Sequence, residues 1–140
     1  MAQETKRATL KWLGDLRFEG RTPGARATMI DANDAAAPGP MPTLLLAAAA
    51  CSASDVVVML EKMRVKLNSL SVDAAGTRRE EEPRRYVAIQ LTYHMGGEGL
   101  DDGKARRAVG LAVEKYCSVI ASLAPDIQVK YDVALEVSKA

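Results

Sequence analysis

The stretch Leu44–Leu60, LLLAAAACSASDVVVML, constrains the fold more than any other part of the chain, because its only charge is Asp55. A helix that is apolar nearly all round belongs in an interior, an interface or a bilayer. The bilayer is disfavoured. Residues 35–54 carry no charge, but Pro38, Gly39, Pro40 and Pro42 keep the first part from being one continuous helix. The helical part, Thr43–Ser54, is about 18 Å long at roughly 1.5 Å per residue, against about 30 Å for a hydrocarbon core. Extending it places Asp55 well inside the hydrocarbon, where a central Asp costs about 2.5–3.5 kcal/mol. A chain of 140 residues makes one domain, and one such domain struggles to enclose this helix on every side. Cover by a second copy is therefore expected. Ala47–Ala50 would admit a neighbouring helix near the short end of the usual ~8–10 Å spacing.

The helix is predicted to start near Pro42 or Thr43 and to end near Met63 or Arg64. A proline is tolerated in a first turn, and Lys62 and Arg64 suit the negative end of the dipole. Before it, Ala8, Leu10 and Trp12 alternate with Thr9 and Lys11, Gly14-Asp15 can turn the chain, and Leu16 and Phe18 alternate again. Ala27 and Met29 alternate more weakly with Thr28 and Ile30. DANDAAAPGPMP reads as a loop.

After the helix, LNSLSVDAAGTRRE and YVAIQLTYHM read as a hairpin around the charged EEEP. Val87, Ile89, Leu91, Tyr93 and Met95 share one face of the second strand, with Ala88, Gln90, Thr92 and His94 on the other. GGEGLDDG reads as a turn in which Asp101 or Asp102 caps a second helix, about Gly103–Leu123. Ala105, Ala108, Val109, Ala112, Tyr116, Val119, Ile120 and Leu123 give that helix an apolar stripe. A last strand places Ile127, Val129, Tyr131, Val133, Leu135 and Val137 on one face. The result is a single α+β domain, residues 1–140, with antiparallel sheet.

Charge and composition narrow the function. The net charge is +1, and basic residues recur beside acidic ones in RREEEPRR and DDGKARR, so no basic stripe for nucleic acid forms. MAQETKRATLKWL lacks an apolar signal core, which points to the cytoplasm. Two cysteines and one histidine cannot build a structural zinc site, and no cofactor is expected. His94 reads as a solvated or hydrogen-bonded histidine, and Ser52 and Ser54 as small packing residues.

Cys51 and Cys117 both read as lying in mid-helix. Each is either buried filler or half of a redox pair. Asp55 follows Cys51 by four residues, on the same helical face. A carboxylate opposes ionisation of a neighbouring thiol unless a cation pairs with it. Arg21, Arg26, Arg78 and Arg79 are the candidates. If the two helices cross at the cysteines, their Cα atoms come within the ~4.4–6.8 Å that a disulfide needs.

GPMPTLLLAAAACSASDVVVMLEKMR and EKYCSVIASL, with the order of elements around them, resemble the OsmC/Ohr family, the osmotically inducible protein C and organic hydroperoxide resistance proteins. The resemblance implies antiparallel sheets wrapped around two central helices in an intertwined homodimer. It also implies a cysteine that attacks an organic hydroperoxide and a second that condenses with the sulfenic acid to a disulfide. A small dithiol or lipoyl reductant then reduces that disulfide. Cys51 would be the peroxidatic thiol and Cys117 the resolving thiol. Arg21, in EGRTPG, matches the arginine that holds the thiolate. The glutamate that orients this arginine has no counterpart before the helix, where Met41 and Pro42 stand. The alternatives are a dimer that binds a small hydrophobic ligand or senses redox state with little turnover, and a protein whose thiols are structural.

Overall fold

β1 (Thr9–Gly14), β2 (Arg17–Arg21) and β3 (Thr28–Asp31) form an antiparallel meander in the order β1-β2-β3. The computed structural model describes residues 3–136. They divide into two compact units, one ending at Leu44 and one beginning at Leu45. In the first unit, Gly14 (φ 120°) and Asp15 (φ 49°) make the tight β1–β2 turn that Gly14-Asp15 suggested. Leu10, Trp12 and Met29 remain exposed on the strands.

The loop before the helix is ordered by two aspartates. Asp31 is buried, and its carboxylate accepts from the N–H groups of Ala36 and Asn33, each at 2.9 Å. Those donors, Ala36 first, hold its carboxyl below the ordinary carboxylate range. Asp34 Oδ1 accepts from the Gly39 N–H at 2.7 Å. A Cβ at position 39 would lie 2.8 Å from that oxygen, so glycine is required there by close approach.

α1 spans Pro40–Lys62, starting earlier than predicted. Pro40 and Pro42 sit inside the first turn, where no helical N–H bond is lost. By length and composition α1 is able to cross a membrane. Its uncharged part, Pro40–Ser54, is about 22 Å long, still short of a ~30 Å hydrocarbon core. Ala48, Ala49, Ser52, Val56 and Leu60 are its buried stripe. Leu46, Val57 and Val58 stay exposed, so one chain covers only part of the helix.

α1 ends in a Schellman motif. Arg64 takes φ 61°, the Val65 N–H donates to Leu60 O at 2.9 Å, and the Arg64 N–H donates to Glu61 O at 3.0 Å. Leu60 and Val65 are both buried beneath it, the apolar contact that accompanies this cap. The cap reverses the chain into β4.

The second unit is built on a sheet of order β4-β5-β6. β4 (Lys66–Arg78) and β5 (Tyr86–Glu98) are the expected antiparallel hairpin. Ile89, Leu91, Tyr93 and Met95 are buried on one face of β5, as the alternation requires. β5 continues through Gly96–Glu98, which the sequence placed in a turn. There a bulge in β4 brings the Lys66 backbone to where a Cβ of residue 97 would be, so the glycines serve close strand approach. The α+β class holds. The antiparallel expectation holds for β1–β5, whereas β6 (Gln128–Leu135) pairs with β5 in parallel, Ala88 opposite Gln128. Residues 99–127 carry helices that return the chain to the end where β5 began, the crossover a parallel pair needs. Val133 is the buried residue of β6, and Val137 lies outside the described residues.

The second helix is interrupted. α2 (Asp102–Leu111) is capped by Asp101, whose side chain accepts from the Lys104 N–H at 2.8 Å. A π-helical turn, Ala112–Tyr116, follows, and α3 (Ser118–Ala121) closes the segment.

A non-glycine residue in the left-handed region costs roughly 1–2 kcal/mol, partly offset by the greater chain entropy of glycine. Arg64→Gly is therefore expected to raise the unfolding free energy by about 0.5–1 kcal/mol, measured by urea denaturation at unchanged m-value.

Candidate functional site

The π-helical turn positions the second thiol. A continuous α-helix would carry the apolar stripe from Ala112 to Tyr116. Instead the Cys117 N–H donates to Ala112 O at 2.8 Å, a bond five residues back, which inserts one residue into the turn. The inward phase moves on by one position. Tyr116 turns outward, 50% exposed, while Val113 and Cys117 become buried. Cys117 is thus not in mid-helix, as the sequence suggested. Its backbone is extended (φ −69°, ψ 110°), and it stands at the break between the π-turn and α3.

Cys51 does lie in mid-helix on α1 and is half-buried, whereas Cys117 is buried. Both are free thiols, and Cys117 Sγ approaches the carbonyl of Ala48, three residues before Cys51 on α1, at 4.0 Å. Burial pushes the Cys117 thiol up to about 11; the Ile120 N–H, whose nitrogen lies 3.4 Å from Sγ, opposes it, and nearby Cys51 adds a smaller upward push. Cys117 therefore keeps its proton through neutral pH. Cys117 thus reaches the α1 turn that carries Cys51, but the two cysteines are free and not at the disulfide distance the sequence suggested.

The sequence passed over the groups beside this pair. Ser52 is fully buried, and its Oγ lies 2.8 Å from Ala48 O and 2.6 Å from the Tyr93 hydroxyl. A carbonyl cannot donate, so both bonds form only if Ser52 donates to Ala48 and Tyr93 donates to Ser52. Cys117 Sγ approaches the same Ala48 carbonyl at 4.0 Å. Tyr93 is fully buried, and that burial, with nearby Cys117 adding to it and the Ser52 bond opposing, pushes its hydroxyl up to about 12. It remains a neutral donor at physiological pH.

Asp55, one turn beyond Cys51, has a buried Oδ2 with no hydrogen-bond partner, and no ion pair reaches it among the described residues. Arg78 and Arg79 brace the hairpin loop instead, their Nε atoms donating to Arg84 O at 2.6 Å and Pro83 O at 2.8 Å. His94 Nε2 lies 2.8 Å from Asp73 Oδ2 on the outer face of the sheet, the hydrogen-bonded histidine expected. No group of three metal-ligating side chains converges among the described residues.

Arg21 belongs to the first unit. It closes β2, and its Nε donates to Glu19 Oε1 at 2.6 Å. Glu19 lies two residues back on the same strand and on the same face. A signal was present: Glu19 and Arg21 have the spacing of same-face strand residues. A cavity of about 260 Å³ adjoins this pair, lined by Leu10, Ile30 and Arg26 among others.

Residues 32–132 match the family of OsmC-like proteins. Protein YhfA of Escherichia coli is 38% identical over 125 residues, 89% of this chain and 93% of its own length. The crystal structure of a hypothetical protein from Aquifex aeolicus superposes with a TM-score of 0.87 at 27% identity, covering 98% of this chain and all of that one. An organic hydroperoxide resistance protein OsmC from Legionella pneumophila shares the fold, with a TM-score of 0.67 at 18% identity over 96% of this chain and 99% of that one.

Tyr93→Phe removes one hydrogen bond and leaves Ser52 bonded to Ala48, so it should cost about 1 kcal/mol of stability. Ser52→Ala leaves the buried Tyr93 O–H without its acceptor and should cost more, about 1–3 kcal/mol. Urea denaturation of the two variants checks the order. The high Cys117 value yields a second expectation. In Cys51→Ala the main cause, burial, remains, so Cys117 alkylation by iodoacetamide should inflect above the ordinary thiol value of 9.0. Alkylation read by mass spectrometry across alkaline pH tests it.

Proposed function

The chain belongs to the OsmC-like protein family, and on that premise we propose that it is a thiol-dependent peroxidase that reduces organic hydroperoxides through Cys51 and Cys117. One observation carries the reading: a half-buried thiol on α1 and a buried thiol that approaches the same turn of that helix, at the Ala48 carbonyl. The accessible cysteine is placed to meet substrate, and the buried one to meet the product of that encounter.

In the first step the Cys51 thiolate attacks the terminal oxygen of the hydroperoxide. An S–O bond forms, the O–O bond breaks, and the alkoxide takes a proton to leave as the alcohol. Cys51 is now a sulfenic acid. In the second step the Cys117 sulfur attacks the Cys51 sulfur. An S–S bond forms, the S–O bond breaks, and hydroxide leaves with the Cys117 proton as water. A small dithiol or lipoyl group returns the disulfide to two thiols by exchange. A reducing compartment such as the cytoplasm suits that last step.

By the family resemblance Arg21 takes the part of the arginine that holds the peroxidatic thiolate, and Glu19 is bonded to its guanidinium along β2. The working form is a homodimer. Leu46, Val57 and Val58 of α1, with Leu10 and Trp12 of β1, are exposed apolar side chains that a second copy would cover. The unpartnered Asp55 Oδ2 favours the same conclusion, because buried polar atoms are rarely left unpaired. The physiological role that fits is defence against oxidative stress. A second reading, a dimer that binds a small apolar ligand with little turnover, is favoured by the cavity beside Arg21 and Arg26.

Consumption of cumene hydroperoxide with dihydrolipoamide decides between them. Cys51→Ser should fall to the uncatalysed background. Cys117→Ser should complete one turnover and then accumulate a dimedone-reactive sulfenic acid at Cys51. Peroxide consumption that survives loss of Cys51 refutes the mechanism, and failure of the unaltered protein to turn over repeatedly favours the binding reading.

A further inference from the structure

The buried hydroxyl of Tyr93 has no part in the chemistry above, yet it lies at the thiol pair. It is bonded to the residue that follows Cys51, and Ser52 shares the Ala48 carbonyl with Cys117 Sγ. We propose that Tyr93 is a positioning residue for disulfide closure, acting through Ser52 to fix the turn of α1 that holds Cys51 against Cys117. The proposal rests on the two-thiol reading of the site but not on the oxidant being a hydroperoxide.

The argument starts from the shape of α1. Around the cysteine the helix is Ala47–Ala50, Cys51, Ser52, Ala53. Side chains this small interlock weakly with a neighbour, so van der Waals packing alone sets the rotation of the helix about its axis loosely. A directional bond sets it tightly. Tyr93 provides one from β5, the central strand of the sheet, and is itself fully buried between the buried Leu91 and Met95 of the same face. Ser52 passes that anchor to the α1 backbone at Ala48, one turn back, where Cys117 also approaches.

Closure of the disulfide is sensitive to such placement. The two free sulfurs must come together to a bond of about 2.05 Å with a narrow dihedral range, and a misplacement of about 1 Å can slow an aligned reaction roughly a hundredfold. The attack of Cys51 on an external molecule carries no such requirement, because that molecule adjusts its own position. Loss of the Tyr93 bond should therefore slow the intramolecular step relative to the external one.

Dithiodipyridine separates the two steps without a peroxide. Cys51 attacks the reagent, its S–S bond breaks, and one thiopyridone leaves, giving a mixed disulfide on Cys51. Cys117 then attacks the Cys51 sulfur, and a second thiopyridone leaves with the Cys117 proton. The reduced full chain should release thiopyridone in two phases. In Tyr93→Phe the ratio of the second rate to the first should fall roughly ten- to a hundredfold. Ser52→Ala should give a similar fall. Ser52→Ala/Tyr93→Phe should fall no further, while its Tm recovers from that of Ser52→Ala because no hydroxyl is left orphaned. A purely structural role would tie the rate ratio to the Tm. A wild-type ratio in Tyr93→Phe, a ratio that recovers along with the Tm, or single-variant effects that multiply in the double variant would each overturn the proposal. Two normal phases in a protein that consumes no hydroperoxide would refute the peroxidase reading while leaving this test intact. Absence of the second phase in the unaltered protein would overturn both.

Discussion

The second unit is organised by the seating of α1 on the β4-β5-β6 sheet. A helix of this composition offers almost no polar groups with which to register itself, so its position follows from apolar burial and very few directional bonds. Val56 and Leu60 supply the burial, with no exposed surface left on either. The Schellman cap at Arg64 ends the helix and returns the chain to the sheet through buried Val65. Cys51 lies in a stretch of α1 made of small side chains with one buried hydroxyl, that of Ser52.

The two thiols differ in environment more than in kind. Cys51 retains access to solvent, while Cys117 is sealed into the core and held protonated by that burial. Such asymmetry gives two chemically identical groups different access to solvent and a different environment for their protons. The same low-dielectric surroundings keep Tyr93 neutral and make its bond to Ser52 worth more than it would be in water.

Much of this was legible in the sequence, for identifiable reasons. β5 could be read because one of its faces is buried and the other is not, which leaves a period-two trace from Val87 to Met95. The Asp101 cap and the Gly14-Asp15 turn announced themselves by residue type. The direction of β6 did not, since parallel and antiparallel neighbours present the same alternation and only the path of the connection distinguishes them. The extension of β5 through Gly96 and Gly97 was hidden because glycine signals a turn and a close strand approach equally well. Ser52 read as one more small residue, because its partner, Tyr93, lies 41 positions away in sequence. The bond between Glu19 and Arg21 left only a weak trace, two residues of opposite charge sharing one face of a short strand.

The π-helical turn has a consequence for how this chain tolerates change in length. Each residue of an α-helix advances the phase by about 100°, from 3.6 residues per turn. Deleting one residue between Ala112 and Cys117 would let α2 run on with regular bonds, and the helix itself would gain from the repair. The same deletion would place Cys117 four residues after Ala112, so its sulfur would keep the inward phase, whereas regular bonds at the present length would give that phase to Tyr116 and carry the sulfur around the axis. At the present length, helix regularity and an inward Cys117 thus pull this segment in opposite directions. A homologue shorter by one residue here would escape that conflict, keeping a regular helix and an inward second thiol together.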